Sequence, residues 1–302
     1  MKSDTDSFFS VAEAMVPILQ SVGSSLLEVY SRDFTVDLKE DKTPITEADR
    51  KAHSIILERL DSFPIDSLRG LPVLSEEGRD IPFDERRGWK RFWMIDPLDG
   101  TKEFVKRNGE FTVNIALIEK GRPVMGFVYV PLTAVLYFGQ VGAGSFRTAP
   151  RRDDAPAATG LTAESIREAR PLPEADTPVR GPGMPVTTSP DVLKAVASRS
   201  HMNDETGAFI GELERRFGKP VELTSAGSSI KLCRIAEGTA DVYPRFAPTM
   251  EWDTAAADAV CRAAGCYVID RESGKDLEYN KRELGNPHFL AARDPRFRAA
   301  LD

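Results

Sequence analysis

Trp93-Met-Ile-Asp-Pro-Leu-Asp-Gly-Thr101 sets two carboxylates, Asp96 and Asp99, on either side of a Pro-Leu step, after an apolar run and before a Gly-Thr turn. The run Phe92–Ile95 reads as a buried strand. Carboxylates at the end of such a strand carry a desolvation cost unless something pairs with them. A divalent cation would satisfy both together. A turn leading into a capped helix is the second reading, because Asp, Pro and Gly favour turns and helix starts.

Working outward, other acidic residues sit in similar settings. Glu76 and Glu77 follow Pro72-Val-Leu-Ser75 and precede Gly78, where a short apolar strand ends in a turn. Asp253, in Glu251-Trp-Asp-Thr254, opens an alanine-rich helix, where a carboxylate caps backbone N–H groups or faces a ligand. Asp49 lies early in the helix that follows Lys42-Thr-Pro-Ile45. Magnesium takes about six oxygen ligands from carboxylates, carbonyls, waters and phosphate. Asp96 and Asp99 with Glu76 and Asp253 would suffice for two or more ions, the kind of centre that hydrolyses phosphoesters. Spacing alone leaves open whether these segments meet.

The rest of the chain supplies alternating elements. Apolar residues at helical spacing (Phe8, Val11, Met15, Ile18, Leu19, Val22, Leu26, Val29) predict an amphipathic helix over 8–30, kinked or split at Pro17. A second helix is expected over about 46–60. Strands are expected at 92–95, 112–118 and 124–130, the last two joined by a hairpin at Glu119-Lys-Gly-Arg-Pro123, with 136–138 and 144–146 extending an antiparallel pattern. We expect an N-terminal α+β domain over 1–150, a Pro/Ala-rich connection over 151–184 and a C-terminal α/β domain over 185–302. Beyond the connection, strands are expected at 186–189, 221–223, 241–243, 267–270 and 289–292. Helices are expected at 191–199, 206–217, 230–237 and 252–264. Such alternation implies a layered sheet with helices on its faces.

Bulk properties narrow the function classes. The 302 residues are 41% hydrophobic and 29% charged, as in an ordinary globular protein. A net charge of -7 offers no broad attraction to a nucleic-acid polymer or an anionic membrane. Three cysteines without CxxC spacing and three histidines argue against a disulfide framework and a zinc set. Cys233, Cys261 and Cys266 read as buried free thiols in a reducing compartment. The start of the chain lacks a basic segment followed by an apolar block, and no uncharged apolar run is long enough to span a bilayer. The expectation is a cytoplasmic protein without a transmembrane segment, monomer or homodimer, with a peripheral seat on the inner membrane face left open.

Four blocks carry a resemblance: Asp41-Lys-Thr-Pro-Ile-Thr-Glu-Ala-Asp49, Leu74-Ser-Glu-Glu-Gly78, Ile95-Asp-Pro-Leu-Asp-Gly-Thr-Lys-Glu-Phe104 and Glu251-Trp-Asp-Thr-Ala-Ala256. In type and order they resemble the inositol monophosphatase superfamily, and within it the bacterial 3'(2'),5'-bisphosphate nucleotidases of the CysQ type. The resemblance implies a layered αβαβα sugar-phosphatase fold, with an N-terminal antiparallel-sheet half and a C-terminal mixed-sheet half. It implies two or three Mg2+ ions held by Glu76, Asp96, the Leu98 carbonyl, Asp99 and Asp253. Thr101 would act with Glu76 on the attacking water, and Asp49 would support a metal-held water or a further ion. Gly100 and Thr101 would hold the scissile phosphate at a helix start. Attack would be direct and in line, with lithium inhibition.

Substrate choice is expected from the second half. Ser228 and Lys231 in Ser225-Ala-Gly-Ser-Ser-Ile-Lys231, and Arg245 in Tyr243-Pro-Arg245, match the family's nucleotide-binding residues in type and spacing. His201 resembles its substrate-side histidine, and Asp253 would also face substrate. Lys231 and Arg245 suit a 5'-phosphate. The resemblance therefore implies hydrolysis of adenosine 3',5'-bisphosphate to AMP and phosphate, extending to 3'-phosphoadenosine 5'-phosphosulfate, in support of sulfur assimilation. An inositol or other sugar phosphate monoesterase is the alternative, and a non-catalytic phosphometabolite-binding module is the alternative of another class. His53 and His288, without surrounding motifs, read as structural.

Overall fold

The computed structural model describes residues 4–38, 44–150, 160–173, 191–197 and 203–301. In chain order it holds α1 (Asp4–Tyr30), β1 (Val36–Leu38), β2 (Pro44–Thr46), α2 (Glu47–Asp61), β3 (Val73–Ser75), α3 (Phe83–Arg86), β4 (Arg91–Asp99), α4 (Thr101–Val105), β5 (Thr112–Glu119), β6 (Arg122–Val130), β7 (Val135–Gln140) and β8 (Gly144–Arg147). There follow α5 (Ala163–Arg167), β9 (Arg170–Pro171), β10 (Leu193–Ala197), α6 (Asp204–Phe217), β11 (Val221–Ser225), α7 (Ile230–Ala236), β12 (Val242–Arg245), α8 (Glu251–Ala263), β13 (Tyr267–Asp270) and β14 (Phe289–Ala292).

Strands β3 to β9 form one sheet in sequence order, parallel between β3 and β4 and antiparallel elsewhere. The alternation of strand side chains sorts residues to its two faces. Trp93, Ile95, Val113, Ile115, Phe127 and Tyr129 pack with α1 and α2, whereas Phe92, Met94, Ala116, Ile118 and Val128 pack with α7 and α8. Alanines in α8 allow it to lie close: a Cβ on Gly126 would come 2.0 Å from the Ala256 carbonyl oxygen. The second sheet runs β11-β10-β12-β14-β13, with parallel and antiparallel pairs. Leu193, Ala195, Val242 and Leu290 on its outer face pack with Phe209 and Leu213 of α6. The order of layers is α1/α2, first sheet, α7/α8, second sheet, α6, the expected αβαβα arrangement.

Several local readings change. Pro17 lies inside a single 27-residue helix that is neither split nor ended there. A window of α1, Ser7–Tyr30, is long and apolar enough to cross a membrane by length and composition, but half of it is buried inside the protein. The helix expected over 191–199 is replaced by strand β10, parallel to both β11 and β12. Its run Leu193-Lys-Ala-Val-Ala197 is buried apart from the half-buried Lys194, and a short, mostly apolar run of that length fits helix and interior strand alike. The strand expected at 186–189 lies outside the described residues, as does much of the proposed connection. The connection's described part, 160–173, carries α5 and β9; Thr162 caps α5, and Leu161 and Ile166 are fully buried against the first core. We propose the two sheets as the two halves of the chain, joined through the shared layer of α7 and α8.

Candidate active site

A register shift in β4 builds the site. Asp96 pairs with Asn114 and Asp99 with Thr112, so β4 has one extra residue between them. Strict alternation would send residues 96 and 99 to opposite faces. The bulge, across Pro97-Leu98, where Pro97 has no N–H to give the ladder, brings both Asp96 and Asp99 to one cleft. Gly100 then turns the chain at φ 92° into α4. The cleft, about 310 Å³, is also lined by Glu76, Thr101, Ser228, Lys231, Arg245 and Asp253.

Three chain segments meet there: Glu76, Asp96 and Asp253 each offer a carboxylate oxygen, all within 4.8 Å of one another. Burial, and then the charges of Glu76, Asp99 and Asp253, push the Asp96 carboxyl well above the usual carboxylate range. Burial and the Asp99 charge push Asp253 up to about 8. Acids packed this way resist ionisation unless a cation joins them. An all-oxygen donor set of carboxylates, with the Leu98 carbonyl beside it, is the chemistry that hard divalent cations take. These residues fit such a group.

Asp99 is held differently from the other three. Its Oδ2 accepts from Ser229 N at 2.6 Å, Ser229 Oγ at 2.9 Å, Asn114 Nδ2 at 3.2 Å and Thr112 Oγ1 at 3.4 Å. Oδ1 takes no part in these bonds. Sequence reasoning missed Ser229 and Asn114. The available signal was a polar Asn in the middle of an otherwise apolar strand, a placement that is costly without partners.

Asp49 reaches the site from the start of α2. Its Oδ2 accepts from Thr46 N and Thr46 Oγ1, each at 2.7 Å, closing a capping box. Its Oδ1 is 3.3 Å from Thr101 Oγ1, which is also 3.3 Å from the Leu98 carbonyl. The single hydrogen of the Thr101 hydroxyl thus has two acceptors in reach, the Asp49 carboxylate and the Leu98 carbonyl. Burial, only partly offset by the Thr46 bonds, raises the Asp49 carboxyl.

The second half brings two cations to the same cleft. Lys231 is 8% exposed, with Nζ 3.3 Å from the Ala226 carbonyl and over the Tyr243 ring; burial first, then Arg245 nearby, lowers its ammonium to about 8 against the opposing pull of Asp99. Arg245 Nη2 donates to the Pro248 carbonyl at 3.1 Å, while its buried Nε has no partner among the described residues. Ser228, at φ 45°, has a buried Oγ that is likewise unpartnered. Its neighbour Gly227 fits only as glycine: a Cβ there would lie 2.5 Å from the Glu110 carbonyl oxygen. His201 lies outside the described residues.

The profile of the inositol monophosphatase family matches residues 9–300. The chain belongs to that family. Among relatives in it, the 3'(2'),5'-bisphosphate nucleotidase CysQ of Salmonella typhimurium is 40% identical over 281 residues, covering 92% of this chain and 97% of that protein. The nucleotidase CysQ of Escherichia coli K12 is 40% identical over 276 residues, covering 90% and 95%. The crystal structure of CysQ from Bacteroides thetaiotaomicron, a bacterial member of the inositol monophosphatase family, superposes with a TM-score of 0.75 at 45% identity, covering 95% of this chain and 98% of that one.

Proposed function

We propose that the protein is a magnesium-dependent 3'(2'),5'-bisphosphate nucleotidase that hydrolyses adenosine 3',5'-bisphosphate to AMP and phosphate. The observation that carries this reading is one cleft lined by both the Glu76/Asp96/Asp253 cluster and the cations Lys231 and Arg245. The acids suit the scissile end of a bisphosphate and the cations its second phosphate. An inositol monophosphate has no second phosphate for Lys231 and Arg245 to meet. Nucleotidase relatives at 40% identity over most of the chain support the same choice.

Two or three magnesium ions, held by Glu76, Asp96, the Leu98 carbonyl, Asp99 and Asp253, would neutralise phosphoryl charge and stabilise the attacking and departing oxygens. The protein's own groups then divide the remaining work. Thr101 Oγ1 gives its hydrogen to Asp49 Oδ1, which frees a lone pair to orient the attacking water. The raised carboxyl of Asp49 takes the water's proton through that hydroxyl. As the water oxygen bonds to phosphorus in line, the bond from phosphorus to the 3'-oxygen breaks, and that oxygen takes a proton from solvent. Backbone N–H groups at Gly100 and Thr101 hold the phosphoryl oxygens, Ser228 Oγ donates to the nucleotide, and Lys231 and Arg245 bind the 5'-phosphate.

The same binding mode extends to 3'-phosphoadenosine 5'-phosphosulfate, whose 5'-group is also anionic, in support of sulfur assimilation. We place the enzyme in the cytoplasm, a compartment that suits its three buried free thiols. The test is phosphate release at equal magnesium from adenosine 3',5'-bisphosphate and inositol 1-phosphate. Preference for the nucleotide is expected. Preference for the inositol ester would make the protein a sugar phosphate monoesterase, and release from neither would make it a binding module.

A further inference from the structure

Helix α2 carries two side chains toward the catalytic loops. Asp49 faces Thr101, and His53, one turn later on the same face, bonds the residue before Glu76. His53 Nδ1 is 2.9 Å from Ser75 Oγ, and the same oxygen accepts from Glu77 N at 3.3 Å. Gly78 N donates to the Ser75 carbonyl at 3.1 Å, and Glu76 N to the Ile95 carbonyl at 3.3 Å. Ser75 is buried and in register with Ile95, the residue before Asp96. The two bonds on the hydroxyl are compatible with either tautomer of the imidazole, because a serine oxygen has one hydrogen and two lone pairs. Glu76 thus stands on a tight turn whose first residue is clamped to α2.

We propose that His53 is a positioning residue that sets the turn Ser75–Gly78, and through it aims the Glu76 carboxylate at Asp96 and Asp253. The inference rests on the reading of Glu76 as a cation ligand. His53 touches neither substrate nor cation. It acts as groups behind metal ligands generally do, by holding a ligand in one orientation; loss of such a group costs about 10- to 100-fold in metal affinity. With Asp49 at one end and His53 a turn further on, one rigid helix face aligns the proton-accepting side of the site and its cation-binding side together.

The test is calorimetric titration of the cation-free full-length protein with Mn2+, alongside the magnesium dependence of turnover. In His53→Ala and in Ser75→Ala the dissociation constant for Mn2+ should rise about tenfold. The double variant should be no weaker than Ser75→Ala alone, since that substitution already removes the bond to His53 together with the one from Glu77 N. His53→Asn, which keeps a donor and acceptor near the Nδ1 position, should recover most of the loss. At saturating magnesium the KM for nucleotide should stay near that of the unaltered protein. Mn2+ binding by His53→Ala within twofold of the unaltered protein, or losses that multiply in the double variant, would overturn the proposal. If His53→Ala does not fold, Ser75→Ala and His53→Asn decide the question by the same measures. Unchanged Mn2+ binding in Glu76→Gln is a separate result: it removes Glu76 as a ligand and this inference with it.

Discussion

Asp99 and Ser229 meet through a single carboxylate oxygen, which accepts both the backbone N–H and the hydroxyl of Ser229. The pair ties the bulged strand β4 to the start of α7, and Ser229 Oγ also lies 2.6 Å from the Asp253 carbonyl, so its one hydrogen is shared between the two acceptors. Asn114 Nδ2 adds a donor to Ser229 Oγ at 2.9 Å. One small side chain therefore reaches both the Asp99 carboxylate and the backbone of Asp253. Ser229→Ala should destabilise the protein by about 1–3 kcal/mol in urea titration, since buried groups lose a partner. Turnover should fall about tenfold further than the stability loss explains. Full activity in a destabilised variant would mean that Ser229 only joins the layers.

Asp96 is the most crowded acid of the cluster, at 1% exposure among Glu76, Asp99 and Asp253. Asp96→Asn removes charge from the site and repulsion from the fold at once. Turnover should drop about a thousandfold or more, the equivalent of several kcal/mol of lost charge stabilisation. The melting temperature in chelator should equal or exceed that of the unaltered protein. Near-normal turnover would remove Asp96 from the site.

The same crowding gives a pH dependence with a definite sign. The Asp253 carboxyl is pushed up from 3.8 to about 8, and Asp96 moves in the same direction. Between those values the folded cation-free protein holds protons that the unfolded chain has released, so this contribution to stability falls as pH rises. The slope is at most about 1.36 kcal/mol per pH unit for each group, and the Asp253 contribution levels off above about pH 8. Cations that replace the protons cancel the loss. The rise in melting temperature on adding millimolar magnesium should therefore grow from about pH 5 to pH 8, and it should shrink in Asp253→Asn. A rise independent of pH would separate cation binding from these acids.

Much of this centre was legible in the chain because its acids sit in short blocks with fixed neighbours. Asp96-Pro-Leu-Asp99 holds its own bulge, and the helix that follows Thr46 brings Asp49 inward by its cap. The links between blocks were not legible. Ser229 looks like one more small residue in a flexible stretch, and only the fold brings it 130 residues back to Asp99. The contact between Thr101 and Asp49 was hidden for the same reason: the hydroxyl turns toward α2, a direction set by packing. Strand β10 was misread because Leu, Lys and Ala suit a helix, while the parallel neighbours that make it a strand lie elsewhere in the chain.

Gly227 measures how tightly the substrate loop is seated. A methyl group there would meet the Glu110 carbonyl oxygen at 2.5 Å, Glu110 Cβ at 2.7 Å and Glu103 Cγ at 2.8 Å. Gly227→Ala must push the loop that carries Ser228 away from Glu103 and Glu110. A stability loss of about 1–3 kcal/mol is expected by thermal unfolding. The KM for nucleotide should rise more than kcat falls, because the acids lie on other segments. An unchanged KM would show that Ser228 does not contact the nucleotide.

Lys231 separates binding of the second phosphate from hydrolysis of the first. Its buried ammonium, lowered to about 8 by desolvation, lines the same cleft as the acids and Arg245. Lys231→Met keeps most of the packed length and removes the charge, so the helix should stay in place. A charge-assisted bond to phosphate contributes about 1.5–3 kcal/mol, which corresponds to roughly 10- to 150-fold. The value of kcat/KM for adenosine 3',5'-bisphosphate should fall by that factor, whereas p-nitrophenyl phosphate, with one phosphate, should lose less than about threefold. The unaltered enzyme should also lose nucleotide affinity as pH rises through about 8, where Lys231 gives up its proton, and the Met variant should not show that step. Equal losses on both substrates would place Lys231 at the scissile phosphate or in the scaffold, and the second phosphate would need another partner.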